Sequence, residues 1–129
     1  MTTNACPCNS DKPFSGCCEP LLSCKTFAKT PVQLMRSRYS AYTLGGYGDY
    51  LLETWVPSAA LGLSAADLSI RSVTWVSLTV LSKSQQGESG FVEFKAVYLD
   101  ESGQQGVHHE ESVFSRIKGR WFYVGQKTG

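Results

Sequence analysis

Thiolates are the side chains in this sequence best suited to chemistry, and four of the five cysteines lie within the first eighteen residues. Cys6-Pro7-Cys8 is followed, after eight residues, by Cys17-Cys18. Two pairs of soft ligands across a short loop suit a tetrahedral metal ion of the zinc type. The loop Asn9-Ser10-Asp11-Lys12-Pro13-Phe14-Ser15-Gly16 is rich in turn formers, so it can fold back and bring the pairs together. Four protein ligands leave no coordination position for water. The spacing therefore predicts a structural Zn²⁺ held by Cys6, Cys8, Cys17 and Cys18, not a catalytic one. So short a segment buries little of its own, and metal supplies its order. Structural zinc contributes about 10–16 kcal/mol in finger peptides. Cys24 is left over and reads as a small buried apolar residue.

The odd count of five cysteines argues against a disulfide framework. A reducing cytoplasm fits better, since the same spacing there reads as metal. No basic segment followed by an apolar stretch opens the chain, and nothing approaches the roughly 20 apolar residues of a membrane span, so neither secretion nor a membrane is expected. The formal net charge is +1, and four thiolates on one divalent ion would bring it to about −1. Such a chain lacks the basic field that sequence-independent nucleic-acid binding needs. At 129 residues it is long enough for one core with a small appendage. The expected division is a cysteine module over residues 1–24 and a larger domain over 25–129.

In that larger domain a helix starts sharply. Thr30 stands at the N-cap, Pro31 at the first helical position and Gln33 three residues after the cap. The helix should run to Leu44, where Gly45-Gly46 ends it. Val32, Leu34, Met35, Tyr39, Ala41 and Tyr42 spread over one broad side, with Gln33, Ser37 and Ser40 opposite. Arg38 projects into the middle of the apolar side, where a cation either snorkels to solvent or is paired. A second short helix is expected after Asp49 as N-cap, and Ser64 gives a weaker helix start. From about Ile70 the chain turns to strands: Trp75–Leu81, Phe91–Leu99, Val107–Ile117 and Trp121–Val124. Helices first and consecutive hairpins later predict an α+β fold with an antiparallel sheet.

Cys6-Pro7-Cys8 and the following spacing resemble the SEC-C motif, a small zinc-binding module first noted at the C-terminus of the bacterial translocation ATPase SecA. Its pattern reads C-P-C-G-S-G, then basic and aromatic residues, then C-C or C-H. Ser10, Lys12, Phe14, Cys17 and Cys18 fit it. Asn9 and Asp11 replace the two glycines and are the residues that best tolerate left-handed backbone after glycine. Across nearly the whole chain, Leu34-Met35-Arg36-Ser37-Arg38-Tyr39-Ser40-Ala41-Tyr42, Asp49-Tyr50-Leu51, Thr54-Trp55, Glu110-Glu111-Ser112-Val113-Phe114 and Gly119-Arg120-Trp121-Phe122-Tyr123 resemble the YchJ family of small bacterial proteins. That resemblance implies a SEC-C motif before a nuclear transport factor two-like domain: a curved antiparallel sheet packed on N-terminal helices, cone-shaped around a cavity. The family pattern often has a second SEC-C motif, which these residues do not contain, and a histidine where Val56 stands. It implies no particular reaction.

Arg38, Tyr39, Tyr42, Asp49, Glu110 and Ser112 are the polar groups expected to face the cavity. Strand alternation groups His108, Glu110, Ser112, Phe114 and Arg116 on one side and His109, Glu111, Val113, Ser115 and Ile117 on the other. The second set is the more apolar, so pattern alone turns Glu111 inward. The family resemblance points to Glu110, and Glu110 is chosen. It is expected to form a charge pair with Arg38. No nucleophile–base pair stands out, so no catalytic residue is assigned. The first functional reading is a zinc-stabilised protein-interaction or small-ligand-binding module, with a protein partner reached through the zinc module or a small molecule in the cavity. The alternative is an enzyme of the isomerase or dehydratase type, using Asp49 or Glu110 with Tyr39 or Tyr42 as acid and base.

Overall fold

The computed structural model describes residues 5–8, 10, 12–57, 62–68 and 74–126; Asn9 and Asp11, whose tolerance of left-handed backbone was noted above, lie outside these. A 3-10 turn at Phe14–Gly16 leads into four helices: α1 (Glu19–Leu22), α2 (Pro31–Leu44), α3 (Gly48–Glu53) and α4 (Ala65–Leu68). Four strands follow: β1 (Thr74–Gln86), β2 (Ser89–Leu99), β3 (Gln105–Ile117) and β4 (Arg120–Gln126). They form one antiparallel sheet in sequence order, each strand paired with the next. The fold is α+β, with α2 packed on the sheet's inner face.

α2 has the expected bounds. Thr30 Oγ1 accepts the Gln33 amide at 3.1 Å, Pro31 occupies the first turn, and Gly45 ends the helix at φ 74°. The Gln33 side chain accepts the Lys29 amide at 2.8 Å, one residue earlier than a capping box would have it.

Of the expected polar face of α2 only Gln33 is exposed. Ser37 and Ser40 are both wholly buried. Ser37 Oγ bonds Leu34 O at 2.7 Å and the Tyr50 hydroxyl at 2.6 Å, while Ser40 Oγ lies 3.7 Å from Cys6 Sγ. Both serines are small enough to let another segment approach, and each hydroxyl has a partner. The sheet covers one side of α2, and α3 and the cysteine module cover the other. Cys6, Cys8, Cys18, Leu21 and Leu22 accordingly belong to the same buried cluster as Leu34, Leu51, Phe114 and Trp121. The module is not the coreless tail that its length suggested.

Two other expectations change. Asp49 lies in the first turn of α3, which Tyr47 precedes as N-cap without a side-chain bond. Cys24 is exposed, at φ 61°, with its thiol 3.7 Å from Glu53 Oε2. A turn after α1 forces it outward.

Irregularities in the sheet decide which residues face inward. β1 carries an extra residue relative to β2 at Val76 and again at Leu81, and β4 carries one relative to β3 at Val124. All three are exposed apolar residues. A bulge shifts the alternation by one, so residues three apart share a face. Trp75 and Leu78 thus both point inward, as do Tyr123 and Gln126.

Gly90 on β2 is where the sheet meets the start of α2. A Cβ there would overlap Pro31 Cγ and lie 3.3 Å from Trp121. The proline ring fixes the first turn of α2 and cannot retreat. Gly90→Ala is therefore expected to destabilise the protein by about 1–3 kcal/mol, read as a lower midpoint in urea with an unchanged slope.

Candidate functional site

Two sets of functional side chains meet on opposite sides of α2. The first is the cysteine module. The Cys6 amide bonds Lys12 O at 2.9 Å, a bridge joins Ala5 to Pro13, and the 3-10 turn carries the chain round to Cys17-Cys18. This closes the loop and brings the four sulfurs within 4.8 Å of one another. Cys8 and Cys17 are 3.6 Å apart, and Cys17 and Cys18 are 3.9 Å apart. A tetrahedron with metal–sulfur bonds of about 2.3 Å has sulfurs about 3.8 Å apart, so the cluster can hold a metal ion. Arg36 Nη1 donates to Cys8 O at 2.6 Å and ties the module to α2. The Cys18 thiol's hydrogen bond draws Cys8 down to about 4 against its burial, with Ser10, Cys6 and Cys17 adding to the effect. Burial raises Cys17, and the hydrogen bond to Cys8 raises Cys18. One thiolate is thus favoured, while Cys17 and Cys18 keep their protons. A metal would displace those protons as it binds.

The second set lines a half-open cavity of about 330 Å³ between α2 and the sheet. Its wall includes five of the residues expected there: Arg38, Tyr39, Tyr42, Glu110 and Ser112. Asp49 is not among them; it sits exposed on α3, away from the cavity. Glu110 faces inward and Glu111 outward, where it stands opposite Glu93. The apolar count misleads because a strand face lining a cavity can be polar.

Arg38 is 5 % exposed and forms no ion pair with Glu110 among the described residues. Its Nη1 donates to Leu51 O at 2.8 Å and to Thr54 Oγ1 at 2.7 Å. The guanidinium carbon lies 4.6 Å from the Trp55 ring centre and 4.5 Å from that of Tyr123. Aromatic faces and a backbone carbonyl replace the expected carboxylate. Burial lowers the Arg38 pKa, while Tyr42, Tyr123, Tyr50 and Glu110 act in the opposite direction. Trp55 reaches this position through a parallel bridge to β4: Val56 N donates to Tyr123 O at 2.9 Å, and Tyr123 N to Thr54 O at 2.7 Å. The Val56 side chain is buried outside the cavity wall.

Glu110 has four donors of its own. His108 Nε2 reaches Oε1 at 2.9 Å and Gln126 Nε2 reaches it at 3.1 Å. Ser112 Oγ and the Tyr123 hydroxyl donate to Oε2, the latter at 2.7 Å. Gln126 takes part only because of the bulge at Val124. Burial pushes Glu110 up, but hydrogen bonds from Ser112, His108, Tyr123 and Gln126 outweigh it and leave the group below the usual carboxylate range. Tyr123 is raised by burial and by Glu110. Arg38 and Glu110 are thus joined through Tyr123, whose ring lies beside the cation and whose hydroxyl meets the anion.

Sequence reasoning missed Trp55, Trp75, Phe94, His108 and Tyr123 as parts of this wall. The strand alternation did set His108 with Glu110. Tyr123 and Gln126 depended on a bulge that the residue pattern does not mark.

A family model described as "YchJ, middle NTF2-like domain" matches residues 30–126. The chain belongs to the YchJ family. A UPF0225 protein of Sodalis glossinidius is 41% identical over 124 residues, covering 92% of this chain and 80% of that protein. A UPF0225 protein of Serratia proteamaculans is 40% identical over 124 residues with the same coverage. The solution structure of a SEC-C motif containing protein from Rhodopseudomonas palustris superposes with a TM-score of 0.87 at 33% identity, covering 99% of each chain. In this YchJ-family chain the matched domain supplies the whole cavity wall, and the cysteine module precedes it.

The depressed Glu110 pKa has a signed consequence. A carboxylate more acidic in the folded state contributes stability that is fully present above the unfolded value of about 4.3 and is lost as pH falls through the folded value. Glu110→Gln should lose that acid-side dependence while keeping a flat profile above pH about 5. Urea midpoints measured from pH 3 to 7 check this, and an unchanged acid limb would contradict it.

Proposed function

We propose that this protein is a small-ligand-binding protein without catalysis of its own, and that its N-terminal module holds a structural zinc ion. The cavity carries the binding reading. Glu110, the carboxylate of its wall among the described residues, is occupied at both oxygens by protein donors, so it is placed to hold the wall together, not to remove a substrate proton. A volume of about 330 Å³ falls at the lower end of the roughly 300–1,000 Å³ range of ligand pockets.

Zinc is the ion supported by an all-thiolate donor set with tetrahedral spacing. Cys6, Cys8, Cys17 and Cys18 would hold it, and its chemistry there is structural. Thiolate ligation needs reduced cysteines, which fits a cytoplasmic setting. A protein partner docking on this module belongs to the same reading, and affinity capture with Cys17→Ser/Cys18→Ser addresses it: an unchanged partner list would remove the module from that role.

His108 supports the enzyme alternative, an isomerase or dehydratase type. Its ring lines the cavity and is oriented by Glu110. A His108→Gln protein that still binds ligand but loses turnover would favour that alternative.

Two outcomes are expected. Reduced protein should contain about one zinc per chain, with Cys8→Ser losing it; because the module packs on α2, the same change should also lower the melting temperature of the whole domain. Substoichiometric zinc, or a cobalt-substituted sample without sulfur-to-metal charge-transfer bands, would contradict the metal assignment. Fractionated metabolite pools should include at least one that raises the melting temperature by several degrees, as ligand binding to the native state requires. A flat response across all pools would remove the binding reading.

A further inference from the structure

Arg38 is a nearly fully buried cation with an unequal distribution of partners. Its hydrogen bonds to Leu51 O and Thr54 Oγ1 both leave from Nη1. Among the described residues, Trp121 Nε1 is the only fully buried side-chain polar atom without a partner. The Nε–Nη2 edge of Arg38 therefore does not end in dry protein: the residue is part of the cavity wall, and this edge remains for a group inside. That edge is a planar two-donor fork, which matches a carboxylate. Trp55 and Tyr123 lie close to the guanidinium and hold it in place, so little freedom remains to be lost on binding.

The rest of the cavity narrows the choice. Tyr39, Tyr42, Trp75, Phe94 and Phe114 give it walls that are mostly aromatic. Burial raises the Tyr42 pKa, while the charge of the nearby guanidinium and a hydrogen bond with it pull the other way. Glu110 has no oxygen left without a donor. Its negative charge is nonetheless close, on the far side of Tyr123, and opposes a ligand that brings two negative charges to one cation.

Resting on the ligand-binding reading above, we infer that the cavity takes a small monocarboxylic acid with an aromatic or other cyclic apolar body. Its carboxylate is seated on the Nε–Nη2 edge of Arg38, and its ring lies among Tyr39, Trp75 and Phe94. A dianionic phosphate ester fits less well because of Glu110. A cation is opposed by Arg38.

The test uses the whole protein with benzoate and phenylacetate as probes, benzyl alcohol and benzamide as neutral counterparts, and phenyl phosphate as the dianion. Calorimetry gives affinity, and quenching of tryptophan fluorescence reports on Trp55 and Trp75. The carboxylates should bind roughly tenfold or more tightly than the neutral compounds, as a charge-assisted bond requires. Arg38→Gln should erase that preference. If Arg38→Gln does not fold, the wild-type ranking still decides, and Tyr42→Phe tests the same end of the cavity with a smaller expected loss. Neutral probes binding as tightly as carboxylates, or phenyl phosphate binding tightest, overturns the inference and leaves the binding reading in place. Silence from every probe while a metabolite pool raises the melting temperature does the same. Silence from probes and pools together overturns both.

Discussion

A buried cation with no carboxylate against it is the constraint around which this domain is arranged. Arg38 projects from the middle of α2, and leaving its guanidinium bare in an apolar interior would cost several kcal/mol. The chain answers from two directions. The end of α3 turns Leu51 O and Thr54 Oγ1 toward Nη1, and Thr54 in turn donates to Tyr50 O at 2.8 Å, which fixes its hydroxyl. β4 brings the Tyr123 ring, and the bridge between Trp55 and Tyr123 sets both aromatic groups close to the cation with centroids 5.3 Å apart. Helix, loop and last strand meet at this one side chain. Its removal would loosen all three.

From Tyr123 the same arrangement continues to Glu110 and then to His108, Ser112 and Gln126. The anion is the end of a chain of contacts that starts at the cation. This explains how two opposite charges share one cavity without touching. It also explains why the inner face of β3 is polar: its side chains serve the cavity wall, while Val107 and Ile117 on the same strand lie exposed.

Much of this was readable in the residues, and the failures have identifiable causes. Thr30, Pro31 and Gly45 defined α2 because capping and backbone freedom are local. The cysteine spacing brought four sulfurs together because the loop between them is short. Ser37 and Ser40 misled, since a serine on a helix looks solvated until another segment is known to cover it. Here that cover is the cysteine module and Tyr50, neither of which a helical wheel can show. Asp49 misled because its position beside a helix start suggested both a cap and an inward carboxylate. Arg38 was singled out by its place on the apolar side of α2, but its partners come from sixteen and eighty-five residues away, at Thr54 and Tyr123. Only the folded sheet brings the second of these close.

The three bulges also bear on how the sheet ends. β1 forms one margin of the sheet, and Val76 and Leu81 break its regularity at two points. A straight, unbroken margin thirteen residues long would offer a template to a strand from another molecule. A doubly kinked one presents amides and carbonyls that no regular strand can match along its full length. At the opposite margin, Trp55 and Val56 already occupy part of the shorter β4. The irregularities that aim side chains into the cavity therefore also discourage this sheet from growing by intermolecular strand addition.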